Sequence, residues 1–158
     1  METAPNESGG IIVRPATRKD EKEILALLEE LFEPPGSRPP GYSEDRARKG
    51  IRVAIYAPDG DILLAETEGG VIGLASVYAD IQSIRYGKRC WLQDLVVSSE
   101  QRSRGAGHAL LAAAADWARG RGCTHLELAS GAGRADAHRF YLREGMSQSY
   151  NFFLPLDD

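Results

Sequence analysis

The residues of this chain best placed to do chemistry lie between Val97 and Leu111. A β-rich run ends at Val97, a short polar loop follows, and Arg102, Arg104, Gly105 and Gly107 lead into an alanine-rich stretch. Glycines at the start of a helix leave backbone N–H groups uncovered at the positive end of the helix dipole. Two arginines on the approach make such a site suited to a pyrophosphate. Two common phosphate loops do not fit. No Gly-x-x-x-x-Gly-Lys-Ser/Thr string exists, and Leu110 stands where a dinucleotide fingerprint needs its third glycine. That fingerprint also follows its strand at once, whereas here a whole loop intervenes.

The elements that must position this loop follow from the hydrophobic pattern. Ile11–Arg14 is a short strand, and Thr17 with Asp20 forms a capping-box-like start in which Asp replaces the usual Glu or Gln. Ile24, Leu27, Leu28 and Leu31 make one buried helix face before Pro34 and Pro35, and residues 34–42 form a loop. A second helix from about Ser43 carries Ala47, Ile51, Ala54 and Ile55 on one face, weakened by Gly50. Strands at 62–66 and 71–78 form a hairpin, a polar connection spans 79–89, and Cys90–Val97 is the central strand. Leu110, Leu111, Ala114, Trp117 and Ala118 line the next helix, which Gly120 and Gly122 stop. A strand at 124–129 is expected to run parallel to the central one, because a helix joins them. A helix from Ala135 to about Glu144, capped by Gly145, and a strand at 149–154 complete the chain.

The pattern Arg102-x-x-Gly105-x-Gly107, between a strand and a helix, resembles the acetyl-coenzyme A signature of the GNAT superfamily, the Gcn5-related N-acetyltransferases. Ala137-x-x-Phe140-Tyr141 with Gly145 and Met146 resembles the family's second motif, and the order of elements is similar over residues 11–155. The resemblance implies an α/β fold with a central mixed, mostly antiparallel, splayed sheet flanked by about four helices, in a single domain over 11–158. It implies direct attack of a primary amine, of a small molecule or a protein, on the thioester of acetyl-CoA. Backbone groups of Leu95, Val96 and Val97 are expected to pair with the pantetheine arm, an N–H near Val96 to stabilise the oxyanion, and Arg102, Ser103, Arg104, Gly105, Ala106, Gly107 and His108 to hold the pyrophosphate. Arg134 and Phe140 complete the expected coenzyme contacts.

Tyr141 matches the family's acid, which protonates the departing thiolate; its alternative is a core tyrosine packed beside Phe140. For the base, some members carry Glu-Asp where this chain has Gln93-Asp94. Gln93 cannot take a proton, and Asp94, placed by strand alternation on the opposite face, is either the base or a buried polar group bonded to neighbouring backbone. Glu66 and Glu127 are candidates acting through water. His108 and His138 are expected to face solvent or pack. Arg134, where relatives place asparagine, either meets phosphate or caps the helix.

Composition bounds the rest. A net charge of −4 argues against a nucleic-acid surface, and no apolar run approaches a membrane span. The acidic balance mildly favours a cationic substrate. Residues 1–10 are polar without a secretory pattern and are expected to be a disordered tail in a cytoplasmic protein. Cys90 and Cys123 read as reduced thiols, and no His or Cys spacing forms a metal site. A homodimer is a further expectation of the resemblance. Two other function classes remain: a non-catalytic acyl-CoA sensor, favoured by Gln93 and opposed by Tyr141, and a dinucleotide-binding enzyme, opposed by Leu110. The acceptor pocket is expected from the first two helices, the loop at 34–42 and the connection at 79–89.

Overall fold

The structure is a computed structural model that describes residues 10–156, in two compact units dividing between Leu128 and Ala129. The expected tail falls outside the described residues apart from Gly10. The first unit is built on a five-stranded sheet in simple order: β1 (Ile12–Pro15), β2 (Gly60–Thr67), β3 (Gly70–Ser83), β4 (Gly87–Val97) and β5 (His125–Glu127). The first three pairings are antiparallel and β4–β5 is parallel, as the intervening helix requires. Helices α1 (Glu21–Leu31) and α2 (Glu44–Tyr56) precede β2, and α3 (Ala106–Gly120) joins β4 to β5.

The start of α1 is fixed by two connected devices. Thr17 and Asp20 make the expected capping box around a short 3-10 turn, with the Thr17 amide donating to Asp20 at 2.8 Å. Arg14 on β1 then donates twice to the same carboxylate, at 2.8 and 2.9 Å. The Arg14 guanidinium, ahead of the opposing cost of burial, holds the Asp20 carboxyl down to about 2. Ser43 caps α2, and Arg48 and Arg52 of α2 reach Glu21 of α1, so the two helices are tied side by side.

Ile24 and Leu27 of α1, Ile51 and Ala54 of α2, and Ile62, Leu64, Leu74 and Val96 of the sheet form one contiguous core. Burying large aliphatic side chains of this kind stabilises the unit by about 1.5–3 kcal/mol each. On the other face α3 buries Leu110, Leu111, Ala114 and Ala118 against β2, β3 and β4. Its approach is close at Gly73, where a Cβ would stand 3.0 Å from the Val96 carbonyl and 3.1 Å from Leu110.

Two expected elements differ. The polar connection at 79–89 is hairpin rather than loop: β3 runs on to Ser83, β4 starts at Gly87, and only Ile84–Tyr86 turn. Its charges read as loop because they are a cross-strand pair, Arg89 donating to Asp80 at 2.7 and 3.0 Å. Residues 149–154 form no strand. Aromatic propensity needs a ladder partner to become a strand, and none pairs there among the described residues; Tyr150, Phe152 and Phe153 are 85–93% exposed. In the second unit, α4 (Ala135–Arg143) is the only helix among the described residues.

Candidate active site

Between α1, α2 and the face of the sheet that they cover lies a cavity of about 420 Å³. Leu28 and Leu31, on the expected buried face of α1, are half-buried because they wall it. Phe32, Pro39, Pro40 and Tyr42 form its lip, with the rings of Phe32 and Tyr42 edge to face at 4.7 Å. The connection at 79–89 has no part in the lining, since it is committed to the hairpin.

Gln93 and Asp94 both line this cavity, contrary to the alternation expected of a regular strand. The register explains it. Ser76 pairs with Asp94 and Val77 with Leu92, so Gln93 is an extra residue opposite none: a β-bulge. The Ser76 hydroxyl donates to Asp94 at 2.9 Å and accepts from the Asp94 amide at 3.0 Å. Burial pushes the Asp94 carboxyl above the usual carboxylate range, while the Ser76 hydrogen bond pulls the other way. Tyr78 beside it is pushed up by burial and then by the Asp94 charge. A desolvated carboxylate held by one hydroxyl in a largely apolar cavity is equipped to accept a proton at an elevated pH. Glu66 and Glu127 are not so placed. Glu66 is paired with Arg14 at 3.0 Å, Glu127 with His125 at 2.9 Å and Arg89 at 3.4 Å, and neither lines the cavity.

Beyond the bulge, β4 has a free edge. β5 pairs with it only across Arg89–Trp91, and no described strand accompanies Leu92–Val97 on that side. The Ser98 amide donates to the Ile72 carbonyl on β3 at 2.7 Å. Antiparallel alternation therefore turns the Val96 N–H toward β3 as well, and directs those of Leu95 and Val97 to the open edge. An edge-facing amide near Val96 is therefore that of Leu95 or Val97.

The signature loop begins with a 3-10 turn at Ser99–Gln101. Ser103 has φ 67° and Gly105, the N-cap of α3, has φ 87°, so the chain reverses hand twice before the helix. A Cβ on Gly105 would touch nothing within 4 Å; glycine is required for conformation, not for room. Arg102, Ser103, Arg104, Gly105 and His108 are exposed, Gly107 is half-buried and Ala106 is buried against the sheet side of α3. The Arg102 Nε lies 3.5 Å from the Val97 carbonyl. Missing from the sequence reading was Glu30, on what reads as a solvated helix face. It accepts from both the amide and hydroxyl of Ser99, at 3.4 and 3.2 Å, and so ties the end of α1 to the start of this loop.

In the second unit Phe140 and Tyr141 sit ring to ring at 5.5 Å on α4. Burial raises the Tyr141 hydroxyl above its ordinary value, and the Arg134 charge opposes that. Arg134 is the N-cap residue of α4 but makes no side-chain cap bond. His138 is half-buried. Cys90 is a buried free thiol pushed up to about 11 by burial, and Cys123 is also unbridged. Among the described residues no cluster of His, Cys, Asp or Glu could hold a metal ion, and no helix is long and apolar enough to cross a membrane.

The acetyltransferase (GNAT) family model matches residues 22–146, which carries both motifs and the cavity. The chain belongs to the GNAT acetyltransferase family. Within it, this acetyltransferase is 33% identical over 138 residues to the aminoalkylphosphonate N-acetyltransferase of Salmonella typhimurium, covering 87% of this chain and 86% of that one. A second relative, an uncharacterized N-acetyltransferase of Bacillus subtilis, is 45% identical over 76 residues, 47% of this chain and 54% of its own. Among solved structures, an aminoglycoside N-acetyltransferase in complex with CoA superimposes with a TM-score of 0.79 at 17% identity, covering 93% of this chain and 94% of that one. The glucosamine-6-phosphate N-acetyltransferase of Arabidopsis thaliana gives 0.72 at 24% identity, covering 93% and 99%. These two establish the likeness of fold: helices about a mixed sheet whose β4 and β5 part company.

Proposed function

We propose that this acetyltransferase moves an acetyl group from acetyl-CoA to the primary amine of a small molecule, by direct attack in a ternary complex. The observation that carries the reading is the Asp94 carboxylate, desolvated and held by Ser76, inside a cavity bordered by the strand whose next residues offer unpaired backbone groups. The residues fit the coenzyme: an open β4 edge for an amide-bearing arm, and a helix N-terminus with two exposed arginines for a pyrophosphate. Acetyl-CoA, when bound, supplies the activated acyl thioester. The edge-facing backbone groups of Leu95 and Val97, on either side of Val96, would hold the pantetheine arm, residues Arg102 to His108 the phosphates, and Arg134 and Phe140 would add contacts from the second motif.

The chain's own groups then handle protons. Asp94 takes the proton of the acceptor's ammonium, freeing the lone pair that forms the N–C bond. An amide at the open edge, of Leu95 or Val97, steadies the carbonyl oxygen. Tyr141, assigned by its match to the second motif, would give its phenolic proton to sulfur as the C–S bond breaks, and the second proton shed by the nitrogen as the amide forms would restore the phenol through solvent. A cavity of this volume, at the small end of ligand pockets, favours a small acceptor, and the Salmonella relative is named for one. No metal takes part in this scheme. Residues 11–158 would form a single acetyltransferase domain, in a cytoplasmic protein that would act as a homodimer.

Calorimetric titration with acetyl-CoA, with NADP as control, followed by thiol release with an amine panel, tests this. Micromolar binding of acetyl-CoA alone and turnover that falls about 100-fold in Tyr141→Phe are expected. Binding without any turnover would favour the acyl-CoA sensor instead.

A further inference from the structure

The cavity beside β4 is lined by one residue of each charge: Asp94 at its β4 wall and Arg46 from the first turn of α2. The neighbouring arginines are all occupied. Arg38 holds Glu29, Arg48 holds Glu21 and Glu44, and Arg52 holds Glu21. Arg46 differs. Among the described residues no carboxylate pairs with it, and its Nη1 has only the Gly41 carbonyl, at a long 3.4 Å. Gly41 also leaves the guanidinium its space, since a Cβ there would stand 3.2 Å from Nη1. A guanidinium carries five N–H donors in a planar fork, and most of these are left for something other than protein.

We propose that Arg46 holds the anionic end of the acceptor, so that the acetylated substrate is a small primary amine bearing a phosphonate, phosphate or carboxylate group. This rests on the transferase reading above and narrows it. The two ends of such a molecule match the two charges of the cavity, ammonium toward Asp94 and anion toward Arg46, with Tyr42, Ser76 and Tyr78 as neutral hydroxyls between apolar walls. A diamine or polyamine would set its second cation against Arg46, and like charges facing one another in a partly desolvated site repel. The protein's net charge of −4 favours cations in general, but this cavity contradicts that balance locally.

The test compares kcat and KM for 2-aminoethylphosphonate, O-phosphoethanolamine, β-alanine, ethanolamine and putrescine in the intact protein, Arg46→Ala and Arg46→Lys. The three anionic amines separate phosphonate, phosphate and carboxylate as the source. The expected result is a preference for at least one of them over ethanolamine. That preference should fall about 10- to 100-fold in Arg46→Ala, mainly through KM, and return in part in Arg46→Lys. Ethanolamine turnover should fall much less than that of the anionic amines, and CoA affinity, which also reports correct folding, should not change. A preference for ethanolamine or putrescine, or an equal loss for charged and neutral amines, would overturn the Arg46 assignment and leave the transferase reading standing. Absence of thiol release with every amine would overturn that reading, and this one with it.

Discussion

Asp94 is the residue on which the proposed chemistry turns. Its activity requires the ionised form, and burial raises its carboxyl, so the acidic limb of the kcat/KM profile is expected above the ordinary aspartate value near 3.9. Asp94→Asn should remove that limb and lower the rate about 100-fold. Ser76→Ala withdraws the donor that favours the ionised form, and should move the limb further toward neutral pH. A rate profile flat down to pH 4 in the intact protein would overturn the role. A second carboxylate behaves oppositely. Asp20 is held at about 2 by Arg14, below its unfolded value, so its contribution is present above pH 4 and fades as the pH falls toward 2. Asp20→Asn should cost about 1–2 kcal/mol at pH 7, and the difference from the intact protein should close on acidification; urea denaturation at several pH values measures both.

At the scale of elements, the signature loop and the β3–β4 hairpin make separate demands. Gly105 at φ 87° would hold any other residue in the left-handed region at about 1–2 kcal/mol, without steric clash. Gly105→Ala is therefore expected to weaken CoA affinity several-fold. Gly73→Ala acts elsewhere. It presses on Leu110 and the Val96 carbonyl and should lower the melting temperature by a few degrees. Glu30→Ala, which releases Ser99, should weaken CoA binding while leaving the helix core in place; unchanged affinity would show the loop holds its shape alone. The loop was legible in the sequence because glycine and arginine chemistry is local. The hairpin extension was not, because Asp80 and Arg89 look like solvated loop until the strands are paired.

For the molecule as a whole, the exposed row of Tyr150, Phe152, Phe153, Leu154 and Leu156 is larger than isolated surface residues explain. If a second copy covers it, equilibrium sedimentation should give twice the mass of one chain, and Phe152→Asp with Phe153→Asp should return the monomer. A monomer in the unaltered protein would overturn the homodimer. The β2–β3 hairpin and the parallel β4–β5 pair were legible in the connections between them, a tight turn and a helix, while the expected strand at 149–154 failed for want of a described partner.

Family, fold and the glycine-arginine signature loop were determined by the sequence, since each depends on residues close together in the chain and on the backbone freedom of glycine. What tertiary structure alone decided is the cavity beside β4 and the charges that line it. Gln93 becomes a bulge only through its register with Ser76 and Val77, and that single slip brings Asp94 to the cavity wall beside it. Arg46 is one arginine among several in the sequence. Among the described residues it has no carboxylate partner, because Glu21, Glu29 and Glu44 are spent on its neighbours in three dimensions. Side-chain pairing across elements is a long-range property, and no local pattern encodes it.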